Sequence, residues 1–485
     1  MWFAIDRRET VPLFRQVLEA FREAILTGRM PAGAKLPSTR ELAGELGISR
    51  NVALEAYEQL LAEGYIVGRP GAGTYVADGA CMKEYESGKA PSAPENRKAD
   101  AVTRKVGAAI SFKTGQPAAD RFPLRLWGTL LQRAAANIAP DDLGYGDPAG
   151  WAALRRELAD HLWRTRGVVC RPEQVLVTNG AVQALNLLTR LLLRAGDEII
   201  LEDPTNEDLK TLFASTGATI ISVRADDEGL DPRLLPQQIR PKCVYVTPSH
   251  HFPLGGVLPI QRRIALLSYL RRGDGYLIED DYDSEFRYDG PPIHSLQSLD
   301  PERVVYVGTF SKTMFPALRI GFMVLPEPLV AGARALKRLS DFQTPILDQL
   351  ALARFLEEGH LRAHLQKMKK LYHKKRNRLV QAMEVHWTKE YRILGQAVGL
   401  HLAVSFAADF PPDAVRRMAE AGVEAGILPK RKMLLGYGHL SETEIEEGVR
   451  RLGRALDLRK RESGKSEFEA ALTPEKKAER TSVEG

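Results

Sequence analysis

The chain has 485 residues, of which 44% are hydrophobic and 27% charged, the balance of an ordinary soluble protein with length for two or more domains. A net charge of 68 − 62 = +6 identifies no partner by itself. Three scattered cysteines, Cys81, Cys170 and Cys243, exclude a disulfide framework and a cysteine metal centre, which suits a reducing cytoplasm. No early basic-then-apolar stretch reads as a signal peptide, and no uninterrupted apolar run reads as a membrane span.

In chain order, Pro12 to Gly28 places Phe14, Val17, Leu18, Phe21 and Ile25 on one helical face. Ser38 and Glu41 then form a capping-box pattern for a short helix ending near Gly47. Ser49 caps a third helix, with Ala53, Ala56, Tyr57, Leu60 and Leu61 inward and Arg50 and Asn51 exposed in its first turn. Two helices joined at Gly47, with polar donors opening the second, fit a helix-turn-helix reader of the DNA major groove. The first 77 residues hold nine basic and nine acidic side chains, so a DNA role rests on placement and not on net charge. Tyr65–Val67 and Thr74–Val76 form a hairpin whose tip carries Arg69 and Gly71, a shape that approaches a phosphate or minor groove. The alternative is a three-helix packing unit with a purely structural hairpin.

These features predict a DNA-binding domain over 10–78. The segment 79–109, with Gly88, Pro91 and Pro94 and no apolar period, predicts a flexible linker. Residues 110–460 form a second domain, followed by a polar tail, 461–485. Candidate strands at Val175–Thr178, Glu198–Leu201, Thr219–Val223, Val244–Thr247, Tyr276–Ile278 and Val304–Val307 alternate with helices, which argues for a mainly parallel α/β sheet. Ligands of such sheets bind beyond the carboxyl ends of the strands. After about residue 328 the pattern is chiefly helical, and the basic run Leu361–Met383 reads as a solvated face.

Three strand ends carry complementary chemistry. Val175–Thr178 leads through Asn179 and Gly180 into an amphipathic helix whose free N–H groups favour a phosphate. Tyr276–Ile278 leads to Asp280 and Tyr282 on the following loop. There a carboxylate can hold a pyridine nitrogen protonated and a phenol can bond the ring's phenolic oxygen. Taken alone, the acidic cluster is a solvated turn. Val304–Val307 leads to Lys312, an amine able to form a Schiff base with pyridoxal phosphate, and Arg319 follows before a strand at Ile320–Leu325 to grip the phosphate.

The motifs LGYGDPAG, TNGAVQAL, EDPTN, TPSHHFPLGG, IEDDYDSEFRY and GTFSKTMFPALRIGF together resemble the aminotransferase-like domain of the MocR-type (GabR-like) regulators. The N-terminal segment resembles the GntR-type winged helix. The resemblance implies an aminotransferase fold type I with a smaller α+β C-terminal subdomain, behind a winged helix-turn-helix of three helices and a hairpin. It implies that Lys312 carries pyridoxal 5'-phosphate as an internal aldimine, with Asp280, Tyr282, Arg319, Thr309, Gly180, Ala181 and Asn206 around it. It also implies that Ser38, Arg40, Ser49, Arg50, Asn51, Arg69 and Gly71 meet operator DNA.

The chain departs from the family at Asn206, where a tyrosine is common, and at His251 and Leu254, which replace the glutamine and threonine of the usual HQFPTG. Leu434 replaces an arginine that holds a substrate carboxylate in related enzymes, which leaves Lys430, Arg431 and Lys432 as effector candidates. The expected function is a cytoplasmic transcription regulator, a homodimer in a possible head-to-tail arrangement, that senses an amino compound or the cofactor itself. The alternatives are an active aminotransferase with an accessory DNA-binding domain and a structural dimer with a vestigial pocket.

Overall fold

The computed structural model describes residues 3–8, 10–81, 110–388, 390–395, 397–429 and 431–458. The chain divides into two compact units, residues 1–104 and 105–485. Most of the segment 79–109 expected as a linker, and the tail 461–485, lie outside the described residues.

The first unit contains helices Leu13–Leu26, Thr39–Leu46 and Arg50–Ala62, then strands Ile66–Arg69 and Gly73–Val76 paired antiparallel. Val17, Leu18, Phe21 and Ile25 pack on Leu42, Ala53, Ala56, Tyr57 and Leu60, and Ile66 and Val76 close the cluster. The apolar period of the first helix and the inward face of the third thus meet in one core. Both caps form: Glu41 N–H donates to Ser38 Oγ at 3.2 Å, and Val52 N–H donates to Ser49 Oγ at 3.3 Å. Gly47 ends the second helix at φ 61°, the left-handed turn that favours glycine. Leu61, expected inside, is 43% exposed. It follows Leu60 by one residue, about 100° around the helix, and so leaves the buried stripe.

The second unit is built on an eight-stranded sheet. Its spatial order is Val175–Thr178, Gly321–Val324, Val304–Thr309, Tyr276–Asp281, Cys243–Val246, Glu198–Asp203, Thr219–Asp226 and Gly229–Leu230. Gly321–Val324 and Gly229–Leu230 run antiparallel to their neighbours, and the other pairings are parallel. Side chains alternate between two covered faces. Val175, Val177, Tyr306, Phe322 and Val324 pack with Trp127, Leu158 and Phe355 on one side. Leu176, Val305, Val307 and Met323 pack with Leu185, Leu188 and Phe213 on the other. Burial on both faces is why these strands read as continuous apolar runs in the sequence.

Beyond residue 328 the structure corrects the chiefly helical reading of the pattern and bears out the α+β subdomain that the resemblance implies. Helices Glu327–Asp341, Ile346–Glu357 and His360–His386 are followed by a four-stranded antiparallel sheet, ordered Tyr391–Leu394, His401–Phe406, Lys432–Gly436, Gly426–Leu428. Helices His360–His386 and Glu442–Ala455 contribute Met368, Leu379, Met383, Ile445, Val449 and Leu452 to its core. The basic run is not wholly solvated either. Lys375 is buried with Nζ donating to Gly438 O at 2.7 Å, and buried Arg376 lies 3.3 Å from Asp289.

Candidate functional site

A cavity of about 360 Å³ opens at the carboxyl ends of the central strands, lined by Lys312, Asp280, Tyr282, Arg319, Thr309, Ala181 and Asn206 among others. The size is that of a small-molecule site. Seven of the eight cofactor candidates therefore line one space. Gly180 precedes Ala181 of that lining, and a Cβ built there meets the Arg319 guanidinium.

One end of the cavity is built by the turn that follows Val175–Thr178 and by the loop joining the antiparallel strands Val304–Thr309 and Gly321–Val324. Gly180, at φ 83° and ψ 169°, caps the helix Ala181–Leu192, whose first N–H groups have no partner within the helix. Arg319 reaches across to this terminus, its Nη2 donating to Asn179 O at 3.0 Å. Gly321 admits the approach, since a Cβ there meets Gly180 C at 2.7 Å. Thr309, the last residue of its strand, lies beside Ser311, their hydroxyls 3.0 Å apart.

At the opposite end, Asp280 is not on the loop after its strand but inside it, because Tyr276–Asp281 extends three residues further than the apolar run. The acidic cluster is no solvated turn. Glu279 accepts from Leu296 N–H and Gln297 N–H at 3.0 and 2.8 Å, and Asp281 pairs with buried Arg166 at 2.8 Å. Alternation puts Asp280 on the other face, where Tyr245 O–H donates to its Oδ2 at 2.7 Å. Its Oδ1 is buried with no hydrogen-bond partner among the described residues. Burial pushes this carboxyl up to about 6, the Tyr245 bond opposing and the charges of Asp281 and Asp283 reinforcing.

Lys312 follows its strand and donates from Nζ to Gly115 O at 2.7 Å. Burial lowers its amine below the usual lysine range, against the raising effect of Asp283 and Asp280. The fraction present as free amine, the form that attacks a carbonyl, rises accordingly. Tyr282 stacks on His250 at 5.6 Å and donates to its backbone oxygen at 3.0 Å. His250 Nδ1 lies 2.7 Å from Asp283 Oδ1. Asn206 caps the helix Glu207–Ala214, accepting from Asp208 N–H at 2.9 Å.

Sequence reading missed Tyr245, Asp283, Ser311 and His401, all on the cavity wall. Tyr245 and His401 sit within apolar strand runs and look like core there. Of the effector candidates, Lys430 lies outside the described residues, and Arg431 is held by Asp409 at 2.9 Å. Lys432 lines a separate cavity of about 700 Å³ with Asp226, Asp227 and Arg392.

On the first unit, Arg40, Arg50 and Asn51 are exposed, with no side-chain hydrogen bond or ion pair among the described residues. Ser38 and Ser49 accept the capping N–H groups through their hydroxyl oxygens, which occupies an acceptor position and not the O–H donor. Arg69 lies over the Tyr75 ring at 4.7 Å, and Gly71 turns the hairpin tip at φ 71°.

Fold and site together define a winged-helix reader carried by the same chain as a class I and II aminotransferase domain. The model of the bacterial regulatory proteins of the gntR family matches residues 13–76, and that of aminotransferase class I and II matches residues 109–409. This chain belongs to the MocR-type branch of the GntR regulators. It is 34% identical over 472 residues to the probable rhizopine catabolism regulatory protein MocR of Rhizobium meliloti, covering 93% of this chain and 95% of that one. It is 33% identical to the HTH-type transcriptional regulator TauR of Rhodobacter capsulatus, covering 90% and 94%. It is likewise 33% identical to the pyridoxine biosynthesis regulator PdxR of Corynebacterium glutamicum, covering 77% and 79%. Among solved structures, Pyrococcus horikoshii kynurenine aminotransferase in complex with PMP superposes at TM-score 0.67 with 26% identity, over 72% of this chain and 91% of that one. The Thermus thermophilus α-aminoadipate aminotransferase LysN, complexed with N-(5'-phosphopyridoxyl)-L-leucine, gives 0.66 and 29%, over 73% and 92%.

Proposed function

We propose that this chain is a DNA-binding transcription regulator whose second unit binds pyridoxal phosphate at Lys312 and senses an amine there. The observation that carries the reading is Asp280 Oδ1, a buried carboxylate oxygen with no partner among the described residues, on the wall of the cavity that Lys312 and Arg319 also line. A protonated pyridine nitrogen satisfies that oxygen. The helix terminus at Ala181, Thr309 and Arg319 suit a phosphate, and Tyr282 lies within the same cavity for the ring hydroxyl. When bound, the cofactor supplies an aldehyde that exchanges one amine for another. Lys312 and an incoming amine compete for it, and a difference in how the two forms bias the protein alters DNA affinity.

Reduction of the loaded protein with borohydride, followed by digestion and mass spectrometry, tests the site. The expected tag sits on the peptide carrying Lys312, and it vanishes in Lys312→Ala. A tag on another lysine refutes the assignment.

The lowered basicity of Lys312 favours a second reading, an active aminotransferase, because a free amine released from the aldehyde is a base for a neighbouring carbon. Ketoacid formed over many turnovers establishes that reading; an absorbance change without product establishes the sensor.

A further inference from the structure

The charges around the cavity restrict what it accepts besides the cofactor. Among the described residues lining it, the cations are Lys312 and Arg319, and the cofactor engages both through its aldehyde and its phosphate. The other ionisable groups on the wall include the carboxylates Asp280 and Asp283 and the imidazole of His401.

His401 is 2% exposed, and burial lowers its imidazole to about 4, so it is neutral near pH 7. Its Nε2 lies 3.1 Å from Pro253 O, a contact with a carbonyl that places the proton on Nε2 and leaves Nδ1 a lone-pair acceptor. Asp283 is already engaged by His250 at 2.7 Å and by Leu400 N–H at 3.3 Å, and its remaining lone pairs are acceptors too. Phe252 and Leu209 add apolar lining to the cavity, and Thr114, Thr205, Asn206 and Ser311 add neutral polar groups without charge. With Asp280 engaged by the cofactor's ring nitrogen, a carboxylate entering beside His401 and Asp283 meets two acceptors, one of them a like charge. A hydroxyl or N–H meets partners.

The basic effector candidates are engaged elsewhere. Arg431 is bound to Asp409 and to Ala407 O, and Lys432 faces the second cavity. Leu434, on the same strand as Lys432, packs with Leu254, Leu394 and Ala403.

We infer that the effector is a hydroxyl-bearing amine with no carboxylate: its amine goes to the cofactor and its hydroxyl donates to the His401–Asp283 side of the cavity. The inference rests on the cofactor reading above and names the class of ligand for that same site.

Matched ligands test it on the full chain loaded with pyridoxal phosphate. The pairs are 2-aminoethanol with glycine, 3-amino-1-propanol with β-alanine, and 4-amino-1-butanol with 4-aminobutyrate. Each is titrated at equal free-base concentration while the visible absorbance of the bound cofactor is read. In each pair the alcohol is expected to reach half-effect at a concentration lower by about tenfold or more. His401→Arg, in protein that still takes up colour, is expected to narrow or reverse the preference by placing a cation on that wall. Acids that act as well as or better than their alcohols, or alcohols that change nothing, overturn the proposal. Protein that takes up no colour sinks the cofactor reading itself, so the two failures are told apart.

Discussion

Replacing Asp280 with Asn separates what the carboxylate does for the fold from what it does for the ligand. The side chain keeps its shape and loses its charge. In the unliganded protein the rise from 3.8 to about 6 means that ionised Asp280 costs roughly 3 kcal/mol at pH 8, where both folded and unfolded states are ionised. Below the unfolded value both states are protonated and the cost is absent, so wild-type stability falls as pH rises through this window. The variant escapes that cost but receives a weaker bond from Tyr245, a loss of about 1 kcal/mol. Unliganded Asp280→Asn is therefore expected to be more stable at pH 8 by about 1–2 kcal/mol, with no gain near pH 4.

Cofactor binding moves the other way. Losing a charge-assisted hydrogen bond at a buried atom costs about 1.5–3 kcal/mol, which weakens pyridoxal phosphate binding about 10- to 150-fold. The assays are urea midpoints of the unliganded protein at pH 4 and pH 8, and equilibrium dialysis of the cofactor. Unchanged cofactor affinity, or a variant less stable at pH 8 than wild type, refutes the role drawn for this oxygen.

Gly180→Ala puts a methyl against the Arg319 guanidinium at φ 83°, and should lower affinity for pyridoxal phosphate about tenfold or more while leaving affinity for unphosphorylated pyridoxal little changed. Equal losses for both ligands count against a phosphate role. Arg50→Ala should weaken binding to a duplex selected by the wild-type protein from a random pool. It should also lower the slope of log affinity against log salt by about 1 if Arg50 meets a phosphate, with the absorbance of the bound cofactor unchanged. Unaltered binding removes Arg50 from the DNA surface. Glu202, which burial raises to about 7, accepts from Thr247 N–H and Oγ1 at 3.0 and 2.8 Å. Glu202→Gln should gain stability relative to wild type as pH rises from 4.5 to 7, by about 3 kcal/mol in all, and a pH-independent difference between the two shows that folding leaves the Glu202 carboxyl unshifted.

Much of this protein is legible along the chain because the signals are local. The Ser38–Glu41 capping box, the Ser49 cap and Gly47 involve residues within a few positions of each other, and each forms as read. Lys312, Arg319 and Gly180 are marked by strand ends and glycine turns, which continuous apolar runs locate to within a few residues. The boundary of Tyr276–Asp281 was harder, because charged residues end an apolar run without ending a strand whose neighbours on both sides still offer hydrogen-bond partners.

What the folded chain alone decided is which way equivalent residues face and which distant ones meet. Glu279, Asp280 and Asp281 are three consecutive acids in the sequence. Pleating sends the first and third to backbone N–H groups and Arg166, and the second to Tyr245 and the cavity. Arg431 and Lys432 are candidates on paper, but one is engaged by Asp409 and the other faces different walls. His401 enters the site across about ninety residues from Lys312, and nothing in its apolar strand announces it. Periodicity is a property of neighbours in the chain, whereas the charge of a cavity is a sum over residues that only packing brings together.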